Sequence, residues 1–440
     1  MAPAFVFLDT SVCLIASTGE KASHGMNMLS YFKLFTPEEP SGGGSTKPFF
    51  DPSKWQLEDS DGESEEDKTQ GGVLVDWVRE GTVRLVADGL VDPPEISTVS
   101  IQLPADPREI FHLVEYVRVT TADRNLIVLS TGPKLHDFGW SGHYLVHDAA
   151  AGGALFLAPH VDWDEFREHF GCGGPVITRR GEASGDFVLA MVLRSWRTER
   201  LSLLLWSPSS TGPQQWARHD VRLPEGVPEF GFKTDVAFTF GGRWACWADL
   251  NLGVVACDVL SPDPELHMVP LPEGCARDPY VMYRGRVKDY GTMGCVGGEI
   301  KLVHMDGFDD DECPRDEITI STWTLLRQEP SCPSRWRWRR DDGRVLRVGD
   351  LWVDESFLAV PGLPRRAPTC PVLSPDEPDV VYFFMSDLGY DVDGHIVTRG
   401  EYVLALNMQS KKIQTWTKCP TGRSFELTPS FIAIDRCAFL

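Results

Sequence analysis

No CxxC pair occurs in this 440-residue chain, although it holds 11 cysteines, the closest two being Cys246 and Cys257. An odd, scattered set of thiols without metal-ligand spacing reads as reduced cysteines packed as small hydrophobes. Also missing are GxSxG, HExxH, GxxxxGK[ST] and a GxGxxG following a strand, so the motif-bearing hydrolases and nucleotide binders are excluded. The longest apolar stretches, such as "FVLAMVL" (187–193), fall far short of the roughly 20 residues that a membrane helix needs. The start, "MAPAFVFLDTSVCLIAS", has no basic region, and Asp9 interrupts its apolar run. Export is therefore not expected, and cytoplasm or nucleus is the expected location. Basic residues are in deficit: 42 Lys and Arg against 64 Asp and Glu give a net charge of −22, which repels nucleic acid and anionic membranes.

What is abundant is turn-forming residue, with 40 glycines and 32 prolines, which favours an all-β fold over long helices. Residues 1–72 form one segment: a strand-like run, Phe5–Ile15, then "EEPSGGGSTKP", then "EDSDGESEED" (58–67), which is expected to be a solvated acidic low-complexity loop. Residues 73–440 form the second segment, strand-like throughout. One unit recurs in it: apolar strand, polar turn, second strand, proline. It reads "YLVHDAAAGGALFLAP" (144–159), "LSLLLWSPSSTGPQQWARHDVRLP" (201–224), "GVVACDVLSPDPELHMVPLP" (253–272) and "EYVLALNMQSKKIQTWTKCP" (401–420), with a less regular copy at 318–343. Each is a hairpin, the outer half of a four-stranded antiparallel sheet. An array of such sheets predicts a β-propeller, with tandem β-sandwiches as the alternative.

The stretch "GGRWACWADLNLGVVACDVL" (241–260) tests that reading. Trp244, Cys246 and Ala248 alternate with Ala245, Trp247 and Asp249, and the strand after the turn at 251–253 alternates likewise. Both cysteines are expected in the core.

These motifs, in order, resemble the plant domain of unknown function number 1618, a family expanded in grasses. "GRWACWADLNLGVVACDVLSPDPELHMVPLPEG" is similar to its glycine-led "LCWVD", "GILFCDV" and "PELRFVPLP". "DPPEISTVSIQLP" (92–104), "LVEYVRVTTADRNLIVLST" (113–131), "RGRVKDYGTMGCVGGEIKLVHM" (284–305), "ITISTWTL" (318–325) and "PVLSPDEPDVVYFFMSD" (371–387) extend the likeness over about residues 73–420. The resemblance implies no agreed activity and no catalytic residues; a role in plant stress or defence is what is supposed of the family.

Three constellations remain. "HVDWDEFREHF" (160–170) offers His160, Glu165 and His169 to a metal if it is helical, although helix capping with Trp163, Phe166 and Phe170 buried explains the pattern without an ion. "SRWRWRRDDGR" (334–344) places Trp336 and Trp338 on one face of a strand, with Arg335, Arg337 and Arg339 on the other and Arg340 following. That pattern suits an interface with an acidic protein and, less well, stacked bases. "DGFDDDECPRDE" (306–317) places Asp309, Asp310 and Asp311 in an acidic loop without calcium-binding spacing. The expectation is a non-enzymatic binding or scaffold module with a protein partner and no cofactor or metal. A hydrolase or lyase using carboxylates in a central channel is the alternative, and nucleic-acid binding through the arginine–tryptophan strand a second.

Overall fold

A computed structural model of the protein describes residues 5–16, 76–87, 89–104, 117–131, 134–135, 139–140, 143–161, 169–171, 174–195, 201–208, 215–227, 232–277, 286–327, 336–390, 396–419 and 431–439. The acidic segment 58–67 lies outside these residues. Strands β1 (Phe5–Ala16), β2 (Arg84–Ala87) and β3 (Ile96–Leu103) open the chain. Blade 1 follows as β4 (Val117–Asp123), β5 (Leu126–Thr131), β8 (His143–Asp148) and β9 (Ala154–Leu157), with the two-residue strands β6 (Lys134–Leu135) and β7 (Gly139–Trp140) pairing in its β5–β8 connection. Blade 2 holds β10 (His169–Gly171), β11 (Val176–Arg179), β12 (Phe187–Ser195), β13 (Leu201–Trp206) and β14 (Ala217–Val221). Blade 3 holds β15 (Val236–Phe240), β16 (Trp244–Asp249), β17 (Gly253–Asp258) and β18 (Leu266–Pro270). Blade 4 holds β19 (Gly291–Val296), β20 (Glu299–Asp306), β21 (Thr319–Arg327) and β22 (Trp336–Arg347). Two short helices, α1 (Val348–Val353) and α2 (Glu355–Leu358), lead to blade 5: β23 (Thr369–Leu373), β24 (Val380–Tyr390), β25 (Ile396–Asn407) and β26 (Lys412–Lys418). The last strand is β27 (Phe431–Asp435).

Each blade is an antiparallel meander of four strands in chain order, with β10 added beside β12 in blade 2. Together they form the expected β-propeller. All five recurring hairpins are the outer halves of blades: β8–β9, β13–β14, β17–β18, β21–β22 and β25–β26. A mixed sheet closes the ring between blades 5 and 1. In it β1 pairs antiparallel with β27 and parallel with β3, while β2 pairs with β3. The boundary expected at residue 73 therefore does not separate the N-terminal strand from the ring.

Ring packing follows from strands that are apolar on both faces. Trp244, Cys246, Ala248, Val254 and Ala256 enter one core cluster, shared with blades 4 and 5. Ala245, Trp247, Val255 and Cys257 enter another, shared with blade 2. Further clusters join blade 1 to blade 2, the closing sheet to blade 1, and blade 5 to the closing sheet. A sheet with neighbours on both sides belongs to a ring, not to a sandwich. At Gly253 the backbone of β18 comes so close that a Cβ would lie 2.3 Å from the Val269 carbonyl, which only glycine allows.

Polar clamps fix the blades' relative positions. Arg179 of blade 2 is buried, with its guanidinium bidentate on the Asp148 carboxylate of blade 1 and its Nε 3.1 Å from Asn125 Oδ1. Asp148 also accepts the backbone N–H groups of Gly185 and Ala150, each at 3.0 Å. At the blade 3–4 boundary Trp336 is 1% exposed, edge-on to Phe240 at 5.9 Å and to Trp244 at 5.6 Å. Blade 1 also buries neutral imidazoles. Desolvation, with His160 nearby, pushes His143 down to about 4, and desolvation lowers His147 against the hydrogen bond at 3.1 Å from its Nε2 to the Ala438 carbonyl.

Three outcomes follow from this packing. Replacing Asp148 with Asn leaves the buried Arg179 cation without its counter-charge and is expected to cost about 3–5 kcal/mol in chemical denaturation. Trp336→Ala, which removes the aromatic wedge between two blades, is expected to cost about 3–5 kcal/mol in the same assay. For His143 the unfolded chain binds more protons than the ring at pH values between about 4 and 6.5, and for His147 the shift has the same sign. The His143 contribution is thus complete above about pH 6.5 and is lost as pH falls toward 4. Denaturation midpoints from pH 7.5 to 4.5 are expected to fall less steeply for His143→Gln than for the wild type.

Candidate functional site

The run "RWRWRR" becomes the start of β22, whose only strand partner among the described residues is β21, so that β22 is the outer edge of blade 4. Arg335 lies outside the described residues. From there the expected alternation holds: Trp336 is buried, Arg337 exposed, Trp338 half-buried and Arg339 exposed. Arg340 is exposed too; it pairs with Trp323 of β21, and its guanidinium lies 5.6 Å from the Trp323 ring. The tryptophans are engaged inward. Trp336 fills the blade 3–4 boundary, and Trp338 donates its indole N–H to the Pro270 carbonyl at 2.8 Å. Trp336 is thereby closed to a base, while Trp338 keeps part of its surface exposed beside the arginines.

The acidic loop occupies the other end of the same blade, between β20 and β21. Asp309 pairs with Arg277 at 2.6 Å, Asp311 lies 4.0 Å from Arg315, and Asp316 pairs with Arg347 at 3.2 Å. The Asp310 carboxylate accepts the Glu312 N–H at 2.9 Å, which shapes the turn. Arginines thus offset much of this loop's charge, whereas Arg339 at the opposite end has no ion pair among the described residues.

The helical spacing behind the metal reading is not found at His169. Glu165 lies outside the described residues, and His169 with Phe170 belongs to strand β10, paired with Ser195 and Arg194 of β12. The shared helical face that would bring Glu165 and His169 together does not exist at His169, because its backbone bonds to a neighbouring strand. His160 sits instead beside His143, with ring centroids 5.3 Å apart. Cys246 and Cys257 point into different clusters on opposite faces of blade 3, so they cannot share an ion. Desolvation pushes both thiols up, Cys257 to about 12, which makes them packing groups.

A cluster that no local motif announced gathers at the axis. The first strands of the blades, β4, β11, β15, β19 and β23, pack side by side around the ring, and their N-terminal ends open on one face. A 3-10 turn, Val287–Asp289, precedes β19; Val287 is buried beneath it and Lys288 is exposed. Surrounding protein desolvates this ammonium and lowers its pKa; Asp235 opposes the shift, while Lys233 and Arg118 reinforce it by repulsion. Those groups come from blade 3 and blade 1, and Cys370 from blade 5 also lies within electrostatic reach. Cys370 stands in a bulge of β23 at φ +50° and donates its thiol to Asp289 Oδ1 at 3.7 Å. Desolvation, then the Asp289 charge, pushes the thiol to about 12, and desolvation raises Asp289 although Arg286 lies 3.0 Å away.

No curated protein matches the chain. Among solved structures, YCF48 bound to D1 peptide is 12% identical over 75% of this chain and 72% of that one, at a TM-score of 0.31. Sqt1 from Saccharomyces cerevisiae is 10% identical over 68% and 73%, at 0.29. The β-propeller domain of the Trilobed protease from Pyrococcus furiosus is 8% identical over 70% and 98%, at 0.30. Likenesses this distant carry no argument, and the fold rests on the strand pairing described above. From the second strand of blade 3 to the second strand of blade 5, residues 247–382 match the family DUF1618, described as a protein of unknown function.

Proposed function

We propose that the chain is a non-enzymatic binding or scaffold module that offers the outer edge of its fourth blade to an acidic segment of a partner protein. The observation that carries this reading is β22 itself. It is an edge strand with exposed Arg337, Arg339 and Arg340, in a chain whose net charge is −22. An extended acidic segment can pair with such an edge through its backbone and meet the guanidinium groups with its side chains. The tryptophans locked beneath keep the edge rigid, so little ordering cost is left to binding. Reduced thiols suit the cytoplasm or nucleus, where such a module would work.

Charged edges also serve simply to block sheet-to-sheet aggregation, and the two roles separate by experiment. A fluorescent peptide alternating Glu and Val is expected to bind the full chain in an anisotropy titration at low salt, and to weaken as salt rises. The double variant Arg337→Glu/Arg339→Glu is expected to lose at least tenfold in affinity while keeping its denaturation midpoint. Equal binding by wild type and variant would remove the docking role, as would increased aggregation of the variant without any peptide binding by the wild type. A second reading, carboxylate catalysis at the axis, is favoured by the raised Asp289 carboxyl beside Cys370. Turnover in a hydrolase screen that disappears in Asp289→Asn would establish it.

A further inference from the structure

We propose that β27 and the 3-10 turn after it, Arg436–Phe439, form a strap that closes over His147 of blade 1 and is released when that imidazole takes up a proton. The inference concerns the closing sheet and stands independently of the docking reading at β22.

Few bonds attach the strap. Among the described residues β27 has one strand partner, β1, with which it shares five residue pairs. A five-residue edge strand belongs to the part of a fold that opens locally at least cost. Its apolar hold comes from Ile434 and Ala438, buried in the cluster beneath the closing sheet, with Ile432 and Phe439 packed against them. The turn adds two polar ties. Arg436 pairs with Asp92 at 2.6 Å, and His147 Nε2 lies 3.1 Å from the Ala438 carbonyl.

That second tie fixes the tautomer. A carbonyl oxygen only accepts, so Nε2 carries the proton and Nδ1 of the neutral ring is left with a lone pair. Nδ1 is buried and has no hydrogen-bond partner, and the residue is 6% exposed, so a proton added there enters a nearly water-free site. The strap itself helps to exclude that water. Ala438 is fully buried, and its turn packs against the turn Ala149–Ala151 that follows His147.

The groups around the ring compensate a new charge only in part. On β8, the Asp148 carboxylate is bidentate with Arg179, and His143 lies four residues earlier on the same face. The cross-strand neighbours are Ile127 of β5 and Leu155 of β9, and the turn Ala149–Ala151 carries no ionisable group. Arg436 of the strap is already paired with Asp92. Burial accordingly holds the His147 pKa below its ordinary value, against the Ala438 bond, the Asp148 charge and the Gly153 backbone. The released strap, which lets water reach the ring, binds the proton more readily. Closure is therefore complete above about pH 6.5 and weakens as pH falls below it. Release leaves Phe5–Asp9 of β1 without an antiparallel neighbour, an edge open to another strand.

Hydrogen exchange on the full chain, read by mass spectrometry and corrected for the intrinsic effect of pH, tests the latch. Between pH 7.0 and 5.5, protection of residues 431–439 is expected to fall severalfold, bounded by about tenfold per pH unit for one proton. Protection of Trp244–Asp249 in blade 3 is expected to stay unchanged. His147→Gln keeps a donor for the Ala438 carbonyl but cannot titrate, and its strap is expected to hold constant protection over the same range. His143→Gln is expected to respond like the wild type. Constant strap protection in the wild type overturns the proposal, as does an equal pH response in His147→Gln. A parallel loss in blade 3 also overturns it, because the whole ring is then loosening. Should His147→Gln not fold, the His147 ring titration followed by NMR in the wild type decides. A midpoint matching the loss of strap protection supports the latch, and a different midpoint overturns it.

Discussion

Every blade of this ring is hydrophobic on both faces, and that single condition dictates the rest. A sheet such as β15–β18, with Trp244 and Cys246 on one face and Trp247 and Cys257 on the other, cannot be left with one side in water. It needs a neighbour on each side, and the series of neighbours ends only when it meets its own beginning. The closing sheet provides that meeting. β1 comes from one end of the chain and β27 from the other, and five backbone pairs, from Phe5↔Asp435 to Asp9↔Phe431, join them. Core clusters on both sides of the closing sheet then make the circuit of burial continuous.

Apolar burial alone does not fix the angle between one wedge and the next, and buried charge meets that need directionally. Arg179 reaches from β11 into the turns of blade 1 and is satisfied there by Asp148 and Asn125. In blade 4 the buried Lys301 ammonium meets Asp341 at 3.3 Å, while Thr322 and Thr324 donate to the same carboxylate. Desolvation pushes Asp341 up, but these donors together hold it below the usual carboxylate range. Arg344 continues the chain of charges to Asp379 of blade 5. Such pairs add little net stability over an apolar replacement, yet losing one partner is costly, so Arg179 penalises misaligned packing between wedges and Lys301 misaligned strands within one.

The outer hairpins were legible because a hairpin is local: period-two alternation, a polar turn and a closing proline lie within some twenty residues. The alternation of Trp336, Arg337, Trp338 and Arg339 was legible for the same reason. The role of Phe5–Ala16 was not, since its partners lie near residues 100 and 433, and no local signal encodes pairing across the whole chain. Residues 160–170 misled because Glu165 and His169 have helical spacing, while the hydrogen bonds of β12 decide that His169 is extended. The axial cluster was invisible in principle. Asp289 and Cys370 lie 81 residues apart in unremarkable local sequence, and only the ring brings the thiol to 3.7 Å from the carboxylate.

That convergence has an electrostatic consequence for a chain this acidic. A net charge of −22 spread over the surface repels anions at long range, but ions at physiological strength screen that field beyond roughly 8 Å. Close to the axis the local balance decides, and there desolvation lowers the Lys288 pKa while the Asp235 charge opposes that shift. At the β22 edge Arg337 and Arg339 are exposed, where water weakens a guanidinium's pull, and Arg337 also donates to the Trp336 carbonyl at 2.7 Å. Exposed cations on a strand edge favour a partner large enough to exclude water as it docks.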